Sequence, residues 1–289
     1  MPADFLQDLI GEGKNLLPLG ALVNDAVKLL LEQGGGLFDV IGALVEGFAS
    51  QIEAGLLAIP SWLVMIAVTA LGVWRLNWRF GLFALASLLV IRIIGFWDQT
   101  AVTLALVFSA TLISIVVGVP LGILSARSDR FNALLRPVLD FMQTMPAFVY
   151  LIPAAMLFGL GRVPGILATV VFAMPPVVRL TALGIRQVSS EQVEAGQAFG
   201  CTSMQLLWKV QLPIALPTLM AGVNQTIMMA LSMVIIASMV GAGGLGNEVL
   251  SSIQRLDIGL GFESGLSVVL LAIILDRLTE SFGARRQES

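Results

Sequence analysis

From Leu56 onward the chain is a series of apolar blocks divided by short polar or Pro/Gly-containing breaks. Each block runs to roughly 20 residues, the length a helix needs to cross a hydrocarbon core of about 30 Å. Inside lipid every backbone N–H and C=O must be paired within the protein, so only helices and closed barrels span. The blocks lack the alternating pattern of barrel strands. The chain therefore reads as an all-α, polytopic membrane protein. Composition agrees: 57% of residues are apolar, 12% are charged, and mean hydropathy is +0.93. Soluble domains carry about 25% charged residues.

The blocks predict spans over Leu56–Trp74, Phe80–Trp97, Val102–Leu124, Val138–Leu160, Pro164–Leu183, Ile214–Val240 and Phe262–Leu278. The last is the weakest, with Glu263, Asp276 and Arg277 at its ends. The count is thus about seven, with six as the alternative. Residues 1–55 differ in character. They hold eight of the nineteen acids (Asp4, Asp8, Glu12, Asp25, Glu32, Asp39, Glu46 and Glu53), opposed only by Lys14 and Lys28. Their apolar clusters are short. This segment predicts one or two amphipathic interfacial helices joined at Gly34-Gly35-Gly36, ahead of a membrane domain over 56–289.

Lys and Arg set the orientation. With the amino terminus outside, one side collects Arg75, Arg79, Arg127, Arg130, Arg136, Arg179, Arg186, Lys209, Arg277, Arg285 and Arg286, eleven of sixteen basic residues. That side is expected to be cytoplasmic and to hold the carboxyl terminus. Lys14, Lys28, Arg162 and Arg255 fall outside, and Arg92 lies inside the second span, placed to snorkel outward.

Several chemistries are excluded. There is no His, so histidine-based triads, proton relays and metal sites are absent, and the lone Cys201 forbids an intramolecular disulfide. A net charge of −3 offers no field for nucleic acid. No cleavable leader is expected, since the first residues lack a basic run before an apolar core. Gly11–Asn15 fails the P-loop pattern, so no ATP site is expected. Gly241-Ala242-Gly243-Gly244-Leu245-Gly246 matches GxGxxG, but follows a long apolar span where a nucleotide site needs a strand. It reads as an external or re-entrant turn.

One stretch is polar between two spans: Glu191 to Pro217, within a predicted cytoplasmic loop over 187–213. It reads as a short helix, a turn at Gly200, a second short helix, and a break at Pro213. In the second helix Met204, Leu207 and Trp208 share one face while Gln205 and Lys209 share another. Such a helix suits docking of a partner; an ordinary interfacial loop is the plainer reading.

The spacing E-A-x-x-x-x-G-x9-[IV]-x-L-P, matched here by Glu194, Ala195, Gly200, Leu212 and Pro213, resembles the EAA signature of ABC importer permeases. Gly196 departs from the common second Ala. The text from about Trp97 to Ser281, including QLPIALPTLMAGVNQTIMMALSMVIIASMVGAGGLG, is similar to permeases of the glycine betaine/proline betaine/choline family. The resemblance implies a type I ABC importer transmembrane domain in a bacterial cytoplasmic (inner) membrane. It implies a homodimer, two cytoplasmic ATP-binding subunits and an extracytoplasmic substrate-binding protein. ATP hydrolysis then belongs to another subunit, and this chain holds no catalytic residue, cofactor or metal. Glu194, Ala195, Gly196, Gly200, Met204, Leu207, Leu212 and Pro213 become the ATPase-coupling residues. A related substrate, such as trimethylamine N-oxide or an amino acid, stays open.

Asn224-Gln225-Thr226 is a polar triplet inside the sixth span, which either lines a pathway or bonds neighbouring helices. Asp140 is placed to pair with Arg136 at i, i+4. Pro146, Pro153, Pro175 and Pro176 are expected to break or kink their helices. An ion-coupled secondary transporter would need acids near mid-membrane; Asp98, Asp140, Glu263 and Asp276 all fall at predicted span ends. A non-transporting membrane scaffold is the third reading.

Overall fold

A computed structural model describes residues 19–283. Asp4, Asp8, Glu12, Lys14, Arg285 and Arg286 lie outside the described residues. The described chain is helical and contains no strand. In order it forms α1 (Leu19–Ala58), α2 (Ser61–Arg75), α3 (Trp78–Ile94) and α4 (Trp97–Arg127). Then come α5 (Asp129–Thr144), a 3₁₀ turn (Ala147–Tyr150), α6 (Leu151–Phe158) and α7 (Arg162–Arg186). The final part is α8 (Ser190–Ala198), α9 (Ser203–Leu206), a π turn (Leu207–Gln211), α10 (Leu212–Ala237), α11 (Leu245–Arg255) and α12 (Ile258–Gly283).

The core is the packing of α4, α7 and α10, and glycines set its spacing. Between helices in lipid, small residues let backbones approach and make dispersion contacts that larger residues would block. A Cβ on Gly118 would fall 2.6 Å from a Val177 methyl, and one on Gly122 would fall 2.7 Å from the Val178 carbonyl oxygen. Both numbers rise together, so α4 and α7 run in the same direction. On the other side, Gly184 faces Ala215 and Thr218, and Gly222 faces Pro176 and Leu180. Those numbers run oppositely, so α10 returns antiparallel. Two buried hydroxyls in this core bond within their own helices: Ser109 donates to Ala105 O at 2.6 Å and Thr169 to Gly165 O at 2.7 Å, whereas those of Thr111, Ser114, Thr181 and Thr226 meet no partner among the described residues.

Two ends of the bundle can be told apart by the bonds that tie them. At one end Arg75 donates to Ser281 O, Arg127 to Ser203 O and Arg186 to Ser125 O, at 3.0, 2.8 and 2.7 Å. This end carries α8 and α9. At the far end Arg92 donates to Ser61 Oγ, the Gly161 amide donates to Val240 O at 2.8 Å, and the Leu245 amide donates to Thr103 Oγ1 at 2.8 Å. The Gly241–Gly244 turn sits here, with φ of +87°, +88° and +74° at Gly241, Gly243 and Gly244.

The structure departs from the sequence reading in four places. First, α1 is one helix through Gly34, Gly35 and Gly36. Each glycine costs about 1 kcal/mol against alanine in a helix. Anchored packing downstream of them, with Phe38 edge-on against Phe158 and Val45 and Ala49 buried, holds the helix together. Second, among the described residues five helices are long and apolar enough to cross a membrane, or six, the alternative count, if one bent pair is a span. The set differs from the expected one: α1 joins it, while α2 and α3 are only 15 and 17 residues long. Pro60 separates α1 from α2, cutting the expected Leu56–Trp74 block at its start. Third, the Val138–Leu160 block is not straight. The chain turns by 107° between Thr144 and Ala147, at Pro146. Pro153 lies in the first turn of α6, where a missing N–H is not needed, and Pro175-Pro176 sit inside an unbroken α7. Fourth, Asp140 pairs with Arg179 at 2.6 Å rather than with Arg136, because α5 packs across α7.

Replacing Gly122 by Leu is expected to separate α4 from α7 and to lower the thermal midpoint of the detergent-solubilised protein, since overpacking costs about 1–3 kcal/mol or more. Gly35→Ala, where nothing lies within 4 Å of the added methyl, is expected to leave that midpoint unchanged or raise it. Thermal unfolding of both variants checks the contrast.

Candidate functional site

The loop between α7 and α10 begins where α7 ends at Arg186. Its first helix, α8, closes on Gly200, which holds φ +79° with no steric penalty because it has no Cβ. Gly200 N–H bonds Gln197 O at 2.9 Å and Cys201 N–H bonds Gly196 O at 3.1 Å, closing the turn. Thr202 then starts α9 with a reciprocal cap: its hydroxyl accepts from the Gln205 amide, and Gln205 Oε1 accepts from the Thr202 amide.

The break expected at Pro213 does not occur. The chain remains helical from Ser203 into α10. Pro213 has no N–H to give and its ring crowds the preceding turn. The chain accommodates it with a wide π turn over Leu207–Gln211, in which the Leu212 amide reaches Leu207 O. α9 and α10 are thus joined by continuous helical backbone across Pro213.

The eight residues singled out from the sequence divide between two roles. Gly196 and Leu207 face inward. Leu207 packs with Ile185 and Ala215, against Ile123, Ala126 and Leu212, fixing the loop to α4, α7 and α10. Gly196 makes room for Leu206: a Cβ there would come 2.7 Å from Leu206 Cδ1. Glu194, Ala195, Gly200, Met204 and Pro213 are exposed. The expected shared face of Met204, Leu207 and Trp208 is thus split, with Met204 and Trp208 outward and Leu207 inward. Sequence reasoning passed over Phe199, which is 91% exposed beside Met204 at 58% and Trp208 at 62%. Three large apolar side chains are thus exposed within one short loop. An aromatic residue within an otherwise polar loop was the available signal. Arg127 was also missed; its bond to Ser203 O ties the end of α4 to the start of α9.

The Asn224-Gln225-Thr226 triplet is not one site. Asn224 Nδ2 donates to Asp276 Oδ1 at 3.0 Å, and the Thr279 hydroxyl bonds Asn224 Oδ1. This clasp joins α10 to α12. Thr226 is fully buried, and only Gln225 is exposed on the protomer. At the loop end, a cavity of about 340 Å³ is lined by polar Asn132, Arg136, Asp140, Arg179 and Arg186 and by apolar Leu139, Val178, Ala182 and Leu183. Among the described residues no group of His, Cys, Asp and Glu could hold a metal ion.

Buried glycine packing and several apolar helices of membrane length define a helical membrane protein. The family described as "binding-protein-dependent transport system inner membrane component" matches residues 118–287. The chain is 49% identical over 271 residues to the glycine betaine/proline betaine transport system permease protein ProW of Escherichia coli (strain K12), covering 93% of this chain and 76% of that one. It is 47% identical over 271 residues to the glycine betaine transport system permease protein OpuAB of Bacillus subtilis (strain 168), covering 94% and 96%. Its fold resembles that of the MetNI methionine ABC transporter in an inward-facing conformation, with a TM-score of 0.57 at 24% identity over 64% of this chain and 94% of that one. The chain belongs to the family of binding-protein-dependent inner membrane transport components: it is a multi-pass permease subunit of an ABC transporter. Proteins of this family work with separate ATP-binding subunits and a substrate-binding protein.

Two substitutions separate the roles of these residues. Gly196→Ala needs only a shift at the flexible tip of Leu206 and gains helix propensity, so uptake is expected near the parent level, whereas Gly196→Leu is expected to abolish it. Asn224→Ala is expected to destabilise the protein by about 1–3 kcal/mol, by leaving Asp276 short of a donor, with the half-saturation concentration for uptake unchanged. Thermal unfolding and uptake on the same preparations check both; a raised half-saturation concentration at parent stability would place Asn224 on the substrate path.

Proposed function

We propose that this chain is the membrane permease of an ATP-driven importer for glycine betaine or a closely related quaternary-amine solute. In this scheme two copies assemble with two ATP-binding subunits in the cytoplasm and a substrate-binding protein on the other side. The carrying observation for the substrate is near-half identity, over almost the whole chain, to permeases named for glycine betaine transport. In the coupling part of the reading, α8, the Gly200 turn and α9 form the element on which the ATP-binding subunit docks. Phe199, Met204 and Trp208 are the apolar contacts, and Leu207 with Arg127 carries the motion into α4, α7 and α10. Support comes from the exposure of the first three and the packing of the last two.

The orientation that fits is cytoplasmic at the loop end, where Arg75, Arg79, Arg127, Arg130, Arg136, Arg179, Arg186 and Lys209 cluster. The mechanism is alternating access. ATP binding draws the two ATP-binding subunits together, and this displaces the loops. The pathway between the two permeases then opens to the outside, and hydrolysis reverses it. A ligand shifts such an equilibrium only through its different affinity for the two states, so the loop surface must contact the ATP-binding subunits differently in each.

Gly200→Asp is expected to abolish ATP-dependent glycine betaine uptake while leaving membrane insertion intact, because a side chain at φ +79° is strained and reshapes the loop tip. Single cysteines across Ala198–Gln205, in a Cys201→Ser background, are expected to crosslink to the ATP-binding subunit. Parent-level uptake in the Gly200 variant, or crosslinks confined to lipid and neighbouring helices, would overturn the coupling role.

A further inference from the structure

α1 is long and apolar enough to cross a bilayer; it packs most extensively on α4, and its contacts with α6 and α7 gather at the far end of the bundle. Phe38 stacks edge-on against Phe158, with ring centroids 5.6 Å apart. Gly42 lies over Phe158 and Val163. Arg162 bonds Glu46 through Nε at 3.1 Å and Glu53 through a terminal guanidinium nitrogen at 2.5 Å. Positions 38 and 53 are separated by about 22 Å of helix axis at 1.5 Å per residue. Their partners nevertheless fall within Phe158–Val163, at the end of α6 and the start of α7. A helix running alongside α7 over that length would meet residues several turns into it.

The sequence of α1 has three stripes that suit this position. Asp25, Glu32, Asp39, Glu46 and Glu53 recur every seven residues. A seven-residue interval returns a side chain to nearly the same side of a helix, so the carboxylates form one ridge. Leu30, Leu37 and Leu44 recur at the same interval and are 53%, 63% and 69% exposed. Their stripe lies about 140° round the helix from the acids, at 100° per residue. Val45 and Ala49, on a third side, are buried against the bundle. Water, lipid and protein each receive one stripe, which is how an interfacial helix divides its surface.

Arg162 is the first residue of α7. A cation at a helix amino terminus meets the positive end of the helix dipole. Two carboxylates from α1, set two turns apart on one side, answer it. We propose that the Glu46–Arg162–Glu53 cluster fastens α1 flat against the far end of the permease, so that α1 lies along the membrane interface and does not cross the bilayer. The clamp joins an element outside the family-matched region to the transport bundle, and it is independent of which solute is carried.

Val40, Leu44, Gln51 and Gly55 point to one side of α1 and are all exposed. Nitroxide labels on single cysteines at these positions, in a Cys201→Ser background of the full transporter in liposomes, report their depth from oxygen and nickel-chelate collision rates. The expected result is one shared depth within roughly 5 Å, since all four ride the same side of a helix parallel to the surface. A steady change in depth toward about 22 Å, following the 1.5 Å rise per residue, would overturn the proposal. Arg162→Gln, and separately the double change Glu46→Gln/Glu53→Gln, are expected to raise label mobility at position 44, with Arg162→Lys retaining most of the parent immobility. Parent-level mobility in both neutralised proteins would remove the cluster from its role as the clamp.

Discussion

The close approach of α4, α7 and α10 at Gly118, Gly122, Gly184 and Gly222 is the contact on which the rest of the permease depends. In lipid there is no hydrophobic force to bring helices together, so dispersion between close-fitting backbones has to do it. Three helices locked in this way behave as one piece. The loop between α7 and α10 begins and ends on that piece, and Leu207 is buried in the same packing through Ile185 and Ala215. In the proposed coupling, a displacement at Phe199, Met204 or Trp208 is passed to that packed core through Leu207.

The π turn serves the same end. A proline after a short helix would ordinarily mark a joint, and a joint between α9 and α10 would let the loop move without its span. The wider turn satisfies Leu212 N–H through Leu207 O and keeps the helix continuous across Pro213. Positive φ angles occur at Gly200, at the tip of the loop, and at the opposite end among Gly95, Gly159, Gly161 and the Gly241–Gly244 turn.

Much of this was legible in the sequence because lipid imposes simple demands. Block length and low charge gave the helical membrane class, and the spacing from Glu194 through Gly200 to Pro213 gave the family. The span boundaries were harder. Whether α1 crosses depends on the ion pairs from Arg162 to Glu46 and Glu53, more than a hundred residues away, which hydropathy does not register. Asp140 was matched to Arg136 because local spacing was all the sequence offered; the real partner, Arg179, comes from a helix that packs alongside. Asn224, which the sequence left between lining a pathway and bonding a neighbouring helix, meets Asp276 and Thr279 of α12, partners more than fifty residues away.

The central claim is that ATP hydrolysis by a partner subunit, transmitted through the α8–α9 loop, drives solute through this chain. Reconstitution of the permease with its ATP-binding subunit and substrate-binding protein in ion-tight liposomes tests it directly, with labelled glycine betaine outside and nucleotide inside. The account predicts accumulation against a gradient that requires internal ATP and persists when proton and sodium gradients are collapsed. Accumulation that follows an imposed ion gradient and proceeds without nucleotide would contradict it.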